Sequence, residues 1–139
     1  MDQIRVGYLF ADIWRLARKR FHDDPNIQAM TLSQARALTL ISRNEGIKQV
    51  ALAEMLEITP MSVVRLVDQL VGEGFVERRP NPADRRAYLL YLMPAANAQI
   101  AIIDEVGNQL WQQALHGLNE EEQNNFIRTL NLIHHNLAQ

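Results

Sequence analysis

Four arginines gather between positions 78 and 86: Arg78, Arg79, Arg85 and Arg86, with Asp84 as the one acid among them. A guanidinium is a planar, permanently charged fork of donors, suited to phosphate and to the edge of guanine. Pro80, Asn81 and Pro82 punctuate a loop between the two pairs. A second group lies upstream in Thr59, Pro60, Met61, Ser62 and Arg65. Thr59 is a good helix N-cap and Pro60 a good first helical residue. The backbone N–H groups of such a helix start can meet an anion. Ser62 can donate to a phosphate or a base, Arg65 can donate twice to guanine or bind phosphate, and Pro60 and Met61 offer apolar contact to a thymine methyl. Alternatively, Arg65 pairs only with a nearby acid, Asp68 or Glu57. Asp84 repels phosphate, so its expected role is to hold Arg86 or Arg78 and keep the loop in shape.

The sequence offers little other chemistry. It has no Gly-rich phosphate loop, nucleophile elbow, HExxH or suitable carboxylate pair, so nothing argues for an enzyme or a cofactor. It has no cysteine, which removes disulfides, thiolate zinc sites and thiol switches. The histidines are His22, His116, His134 and His135. The adjacent pair would point about 100° apart on a helix and so would not share one ion.

The elements that must position the arginines follow from periodicity. Ile4, Phe10, Ile13, Trp14, Ala17 and Phe21 recur at helical spacing over 4–22, and Asp23-Asp24-Pro25-Asn26 breaks the helix. Thr31 and Gln34 form a capping box opening a helix to about Asn44, which ends near Gly46. A short helix at about 48–56 turns Leu52, Ala53 and Leu56 inward. The helix at 60–73 carries Val63, Leu66, Val67 and Leu70 as one buried stripe, with Met61, Arg65 and Gln69 opposite. The period then changes. Phe75 to Arg79 and Ala87 to Met93 read as two strands of a hairpin, with Asp84-Arg85-Arg86 at or beside its tip. Pro94 restarts helix to about 116, with Ile103, Val106, Leu110 and Ala114 inward. Asn119 caps a last helix with Glu120, Glu121 and Glu122 in its first turn. There Phe126, Leu130, Ile133 and Leu137 form a narrow apolar seam.

The expected fold is therefore mainly α. Helices plus a two-stranded β-hairpin make a winged helix-turn-helix over 31–93, and helical segments 1–22 and 94–139 are left for dimerisation. The length suits a single domain. The N-terminus lacks a signal-peptide pattern and no apolar run would span a bilayer, so a cytoplasmic location is the expectation. Net charge is −2, yet the charge is uneven, because from residue 94 onward one arginine faces five acids. A basic hairpin and an acidic tail suit one face for phosphates and another for something else.

These residues resemble the MarR family of bacterial regulators, most of all its SlyA branch. Ser62 to Leu92 is similar to the family's recognition helix. It continues through a Gly-apolar-apolar-x-Arg entry (Gly74, Phe75, Val76, Glu77, Arg78) and an Asp-x-Arg wing motif (Asp84, Arg85, Arg86). Leu52 to Ile58 looks like the first helix of the helix-turn-helix, and Ile13-Trp14-Arg15 is similar to the SlyA branch. The resemblance implies a homodimer on double-stranded DNA, with a pseudo-palindromic operator whose half-sites lie roughly 10 base pairs apart. It implies Arg85 in the minor groove, and phosphate contacts from Lys48, Arg78 and Arg79 add affinity without sequence information. It also implies release by a small phenolic or aromatic carboxylate, for which Trp14 could stack and Arg15 or Arg18 could pair. The plainer reading of Trp14 is a core residue beside surface arginines. One departure is Leu92-Met93-Pro94, where the family often has Leu-Thr before its helix. The rival function is a winged helix used only for protein contacts, whose wing would more often expose apolar residues than arginines.

Overall fold

The computed structural model describes residues 2–27 and 30–139, so Met1, at the head of the expected 1–22 segment, lies outside them. The chain runs α1 (Gln3–Asp23), α2 (Leu32–Arg43), β1 (Ile47–Lys48), α3 (Gln49–Leu56), α4 (Pro60–Gly72), β2 (Val76–Asn81), β3 (Asp84–Leu92), α5 (Ala96–Ala114) and α6 (Glu120–Leu137). None of the helices is long and apolar enough to cross a membrane.

Local chemistry starts and stops these helices. At α2 the capping box forms as expected. Thr31 Oγ1 accepts the Gln34 N–H at 3.1 Å, and Gln34 Oε1 accepts the Thr31 N–H at 3.0 Å. Helix α3 stops at Glu57, which takes a left-handed φ of 56° and donates its N–H back to Ala53 and Glu54. That conformation costs a non-glycine residue about 1–2 kcal/mol, and it turns the chain tightly into Thr59 and α4. Helix α5 begins at Ala96, later than expected. Pro94 sits in a turn, and the Ala96 N–H bonds to the Met93 carbonyl at 2.9 Å.

The core lies between α2, α3, α4 and the sheet. Leu38 and Ile41 from α2, Leu52 from α3, Leu70 from α4 and Leu90 from β3 are fully buried. The stripe Val63, Leu66, Val67, Leu70 faces inward. Each such side chain contributes about 1.5–3 kcal/mol. Phe21, at the C-terminal end of α1, packs against this cluster. Of the residues expected inward on α5, Ile103 and Val106 are buried, Leu110 is half-buried and Ala114 is exposed.

The sheet has three strands, where the sequence suggested a two-stranded hairpin. Its order is β1-β3-β2, all antiparallel. β1 is only two residues long, Ile47 and Lys48 opposite Leu90 and Leu89. It ties the connection between α2 and α3 to the hairpin. By compactness the chain divides into Met1–Gly107 and Asn108–Gln139. In the second unit, Asn119 and Glu122 form another capping box at α6, and no residue of α6 is buried.

Candidate nucleic-acid interface

Because α4 buries one stripe, the opposite stripe is open. Met61 is 68% exposed there, with Ser62 and Arg65 also exposed. Thr59 Oγ1 accepts the Ser62 N–H at 3.1 Å and donates to Ser62 Oγ at 2.8 Å. The Ser62 hydroxyl hydrogen therefore remains available to an outside acceptor. Among the described residues the Arg65 side chain makes no ion pair or hydrogen bond. Of the two acids weighed as its partners, Asp68 is bound by Arg78 instead.

The hairpin's register explains where its arginines go. Pro80 pairs with Tyr88, but the next residue, Asn81, pairs with Asp84. Arg85, Arg86 and Ala87 are thus a bulge on β3 with no opposite number on β2. Bulges re-aim side chains and break the ladder locally. Two short bonds hold the turn. The Ala83 N–H donates to Asn81 Oδ1, and the Arg86 N–H donates to Asp84 Oδ1, both at 3.0 Å. Asp84 therefore shapes the wing through the Arg86 backbone and holds neither the Arg86 nor the Arg78 guanidinium. Both side chains of Arg85 and Arg86 are exposed and without a partner among the described residues.

The other arginine pair is engaged. Arg79 lies 3.8 Å from the Tyr91 ring centroid and bonds to Glu77. On the other face of β2, Arg78 bonds to Gln49, Val64 and Asp68. Sequence reasoning missed Gln49, Glu77 and Tyr91 in these roles, and no local signal announces them. Lys48 is exposed at the N-terminus of α3.

The residues considered for an effector all lie on α1. Trp14 is 47% exposed rather than core, with the Arg18 guanidinium 5.9 Å from its ring centroid. Arg15 is turned onto Asp12 at 2.7 Å. Among the described residues no group of acids and histidines could hold a metal ion. Of the residues considered for dimerisation, Phe10, Phe126 and Leu137 are exposed, and Leu130 and Ile133 are half-buried.

A short helix, a tight turn, a second helix with one open face and a basic hairpin together define a winged helix-turn-helix fold. The MarR family model matches residues 30–88, which span α2 to most of β3. A MarR transcriptional regulator from Methanosarcina mazei Go1 superposes with a TM-score of 0.86 at 19% identity, covering 98% of each chain. A mutant of E. coli MarR complexed with operator DNA gives 0.74 at 26% identity, over 94% of each chain. BpsR of Bordetella bronchiseptica, whose DNA binding is regulated by 6-hydroxynicotinic acid, gives 0.75 at 21% identity, over 93% of this chain and 98% of that one. The architecture is that of MarR-type transcription regulators.

Proposed function

We propose that this chain is a sequence-specific DNA-binding transcriptional regulator of the MarR type, nearest the SlyA branch, acting as a homodimer on a pseudo-palindromic operator. The observation that carries this is the bulge, which leaves Arg85 and Arg86 unpaired at the wing while Arg65 stands unpaired on the open face of α4. Helix α4 enters the major groove, and Met61, Ser62 and Arg65 meet base edges and phosphates. Arg85 enters the minor groove, and Lys48 and Arg86 meet phosphates. The E. coli relative complexed with operator DNA supports DNA as the partner. A second copy covers the exposed apolar residues of α1 and α6. An aromatic carboxylate is the effector class, supported by the ligand of the Bordetella relative and by the exposed Trp14 with Arg18 beside it.

The test is binding of wild type and Arg85→Ala to the promoter region of the protein's own gene, across a salt series. The wild type binds specifically with half-sites roughly 10 base pairs apart. Arg85→Ala loses about 1–3 kcal/mol of binding free energy. Weak, sequence-blind binding by the wild type would instead favour the protein-contact reading. Phenolic acids at millimolar concentration that neither bind nor weaken DNA affinity would remove the effector.

A further inference from the structure

Arg78 sits on a basic strand, yet its geometry is not that of a phosphate contact. Alternation along β2 puts it opposite fully buried Leu90, on the sheet face toward the helices. Its side chain is 22% exposed, against 54% for neighbouring Arg79. Three of its nitrogens have partners on two helices. Nε donates to Gln49 Oε1 of α3 at 2.8 Å. One terminal nitrogen donates to the Val64 carbonyl of α4 at 3.1 Å, and the other lies 2.7 Å from Asp68 Oδ1, also of α4. Asp68 in turn shares the outer face of α4 with Met61 and Arg65, by the 100° step of the helix.

We propose that Arg78 is a positioning residue, which with Asp68 locks the wing to the reading helix so that both grooves are engaged at once. This rests on the DNA-binding reading above. Two binding elements held at a fixed separation act as one, because the second contact forms at high effective concentration. A slack wing loses that advantage and adds an ordering cost to binding. Only an arginine supplies the planar fork needed to reach a carboxylate, an amide and a carbonyl together. Asp68 gives the proposal an unusual sign. An acid facing DNA repels phosphate, so its removal alone should tighten binding. As half of the lock, its removal loosens it.

The test uses full-length protein, the wild-type operator and the variants Arg78→Gln, Asp68→Asn and the double variant. Each single variant weakens operator binding about tenfold and the double variant is no worse, as expected when one linkage is lost. The slope of log affinity against log salt falls alike in Arg78→Gln and Asp68→Asn, because both loosen the same wing contacts. Hydroxyl-radical protection in the minor groove weakens while major-groove protection by α4 persists. Tighter binding by Asp68→Asn, or a salt slope reduced by about one in Arg78→Gln but not in Asp68→Asn, overturns the proposal, the latter by making Arg78 a phosphate contact. A DNA-free arm separates the two readings. Hydrogen exchange of β2 and β3 amides quickens in both single variants while that of α2 stays as in wild type, which also shows that the variants fold. Unchanged exchange in the wing overturns the lock. If wild type fails to bind any operator specifically, the function reading falls and this arm still decides whether the lock exists.

Discussion

Helices α2, α3 and α4 each bury an apolar stripe in the core, whereas the terminal helices bury almost nothing. Leu38, Ile41, Leu52 and Leu70 are at most 1% exposed. Helix α1 buries only Ala17, and α6 buries nothing. Yet Phe10, Ile13 and Trp14 on the one, and Phe126, Ile127 and Leu132 on the other, are large apolar side chains that stand exposed. On the homodimer proposed above, the difference is whether cover comes from the same chain. The winged segment should then be stable at any protein concentration, while the terminal helices gain their cover, and much of their stability, by association.

The strongest way to break this contrast is inside the winged segment. Leu70→Ala leaves a cavity among fully buried neighbours and should cost about 2–5 kcal/mol in urea unfolding. A loss well below that would mean the segment is less self-sufficient than its burial implies. Next in size is Phe126→Glu on α6. It should weaken self-association by about 2 kcal/mol, roughly thirtyfold, in sedimentation equilibrium. Exchange protection at Leu38 and Leu52 should persist, and unaltered association would show that the α6 face is covered by something else. The smallest effect sharpens the contrast at a helix start. Thr59→Ala removes the cap of α4 and should cost about 1 kcal/mol in thermal unfolding. That loss should be the same at low and high protein concentration.

What was legible in the sequence is what neighbours in the chain decide. Thr31 with Gln34 and Thr59 with Pro60 act across three residues or fewer, and both helix starts stand where the sequence puts them. The stripe from Val63 to Leu70 depends only on the helical period. The remainder depends on contacts between segments distant in sequence. β1 is too short to show a period of two, and exists because Leu89 and Leu90 supply its partners. The bulge at Arg85–Ala87 is a property of register between strands. Arg78 reads as one more surface cation because Gln49 is 29 positions away and Asp68 lies across a turn of chain. Asp84 was legible as a wing-shaping acid, but its acceptor bond goes to a backbone N–H. Trp14 is the reverse case, a large residue at core-like spacing that stands outside the core of its own chain.

The two edges of the small sheet have one more consequence. Unpaired strand edges invite other strands, and a regulator concentrated along DNA brings many copies close together. Here one flank of β3 is touched by β1 over just Ile47 and Lys48, and the other is taken by β2. β2 is itself an edge, yet it carries Arg78, Arg79 and Pro80. Proline has no N–H to offer a newcomer, and charged side chains resist a facing strand. Arg79, more than half exposed, and Pro80 thus equip this edge to keep neighbouring copies from pairing strand to strand.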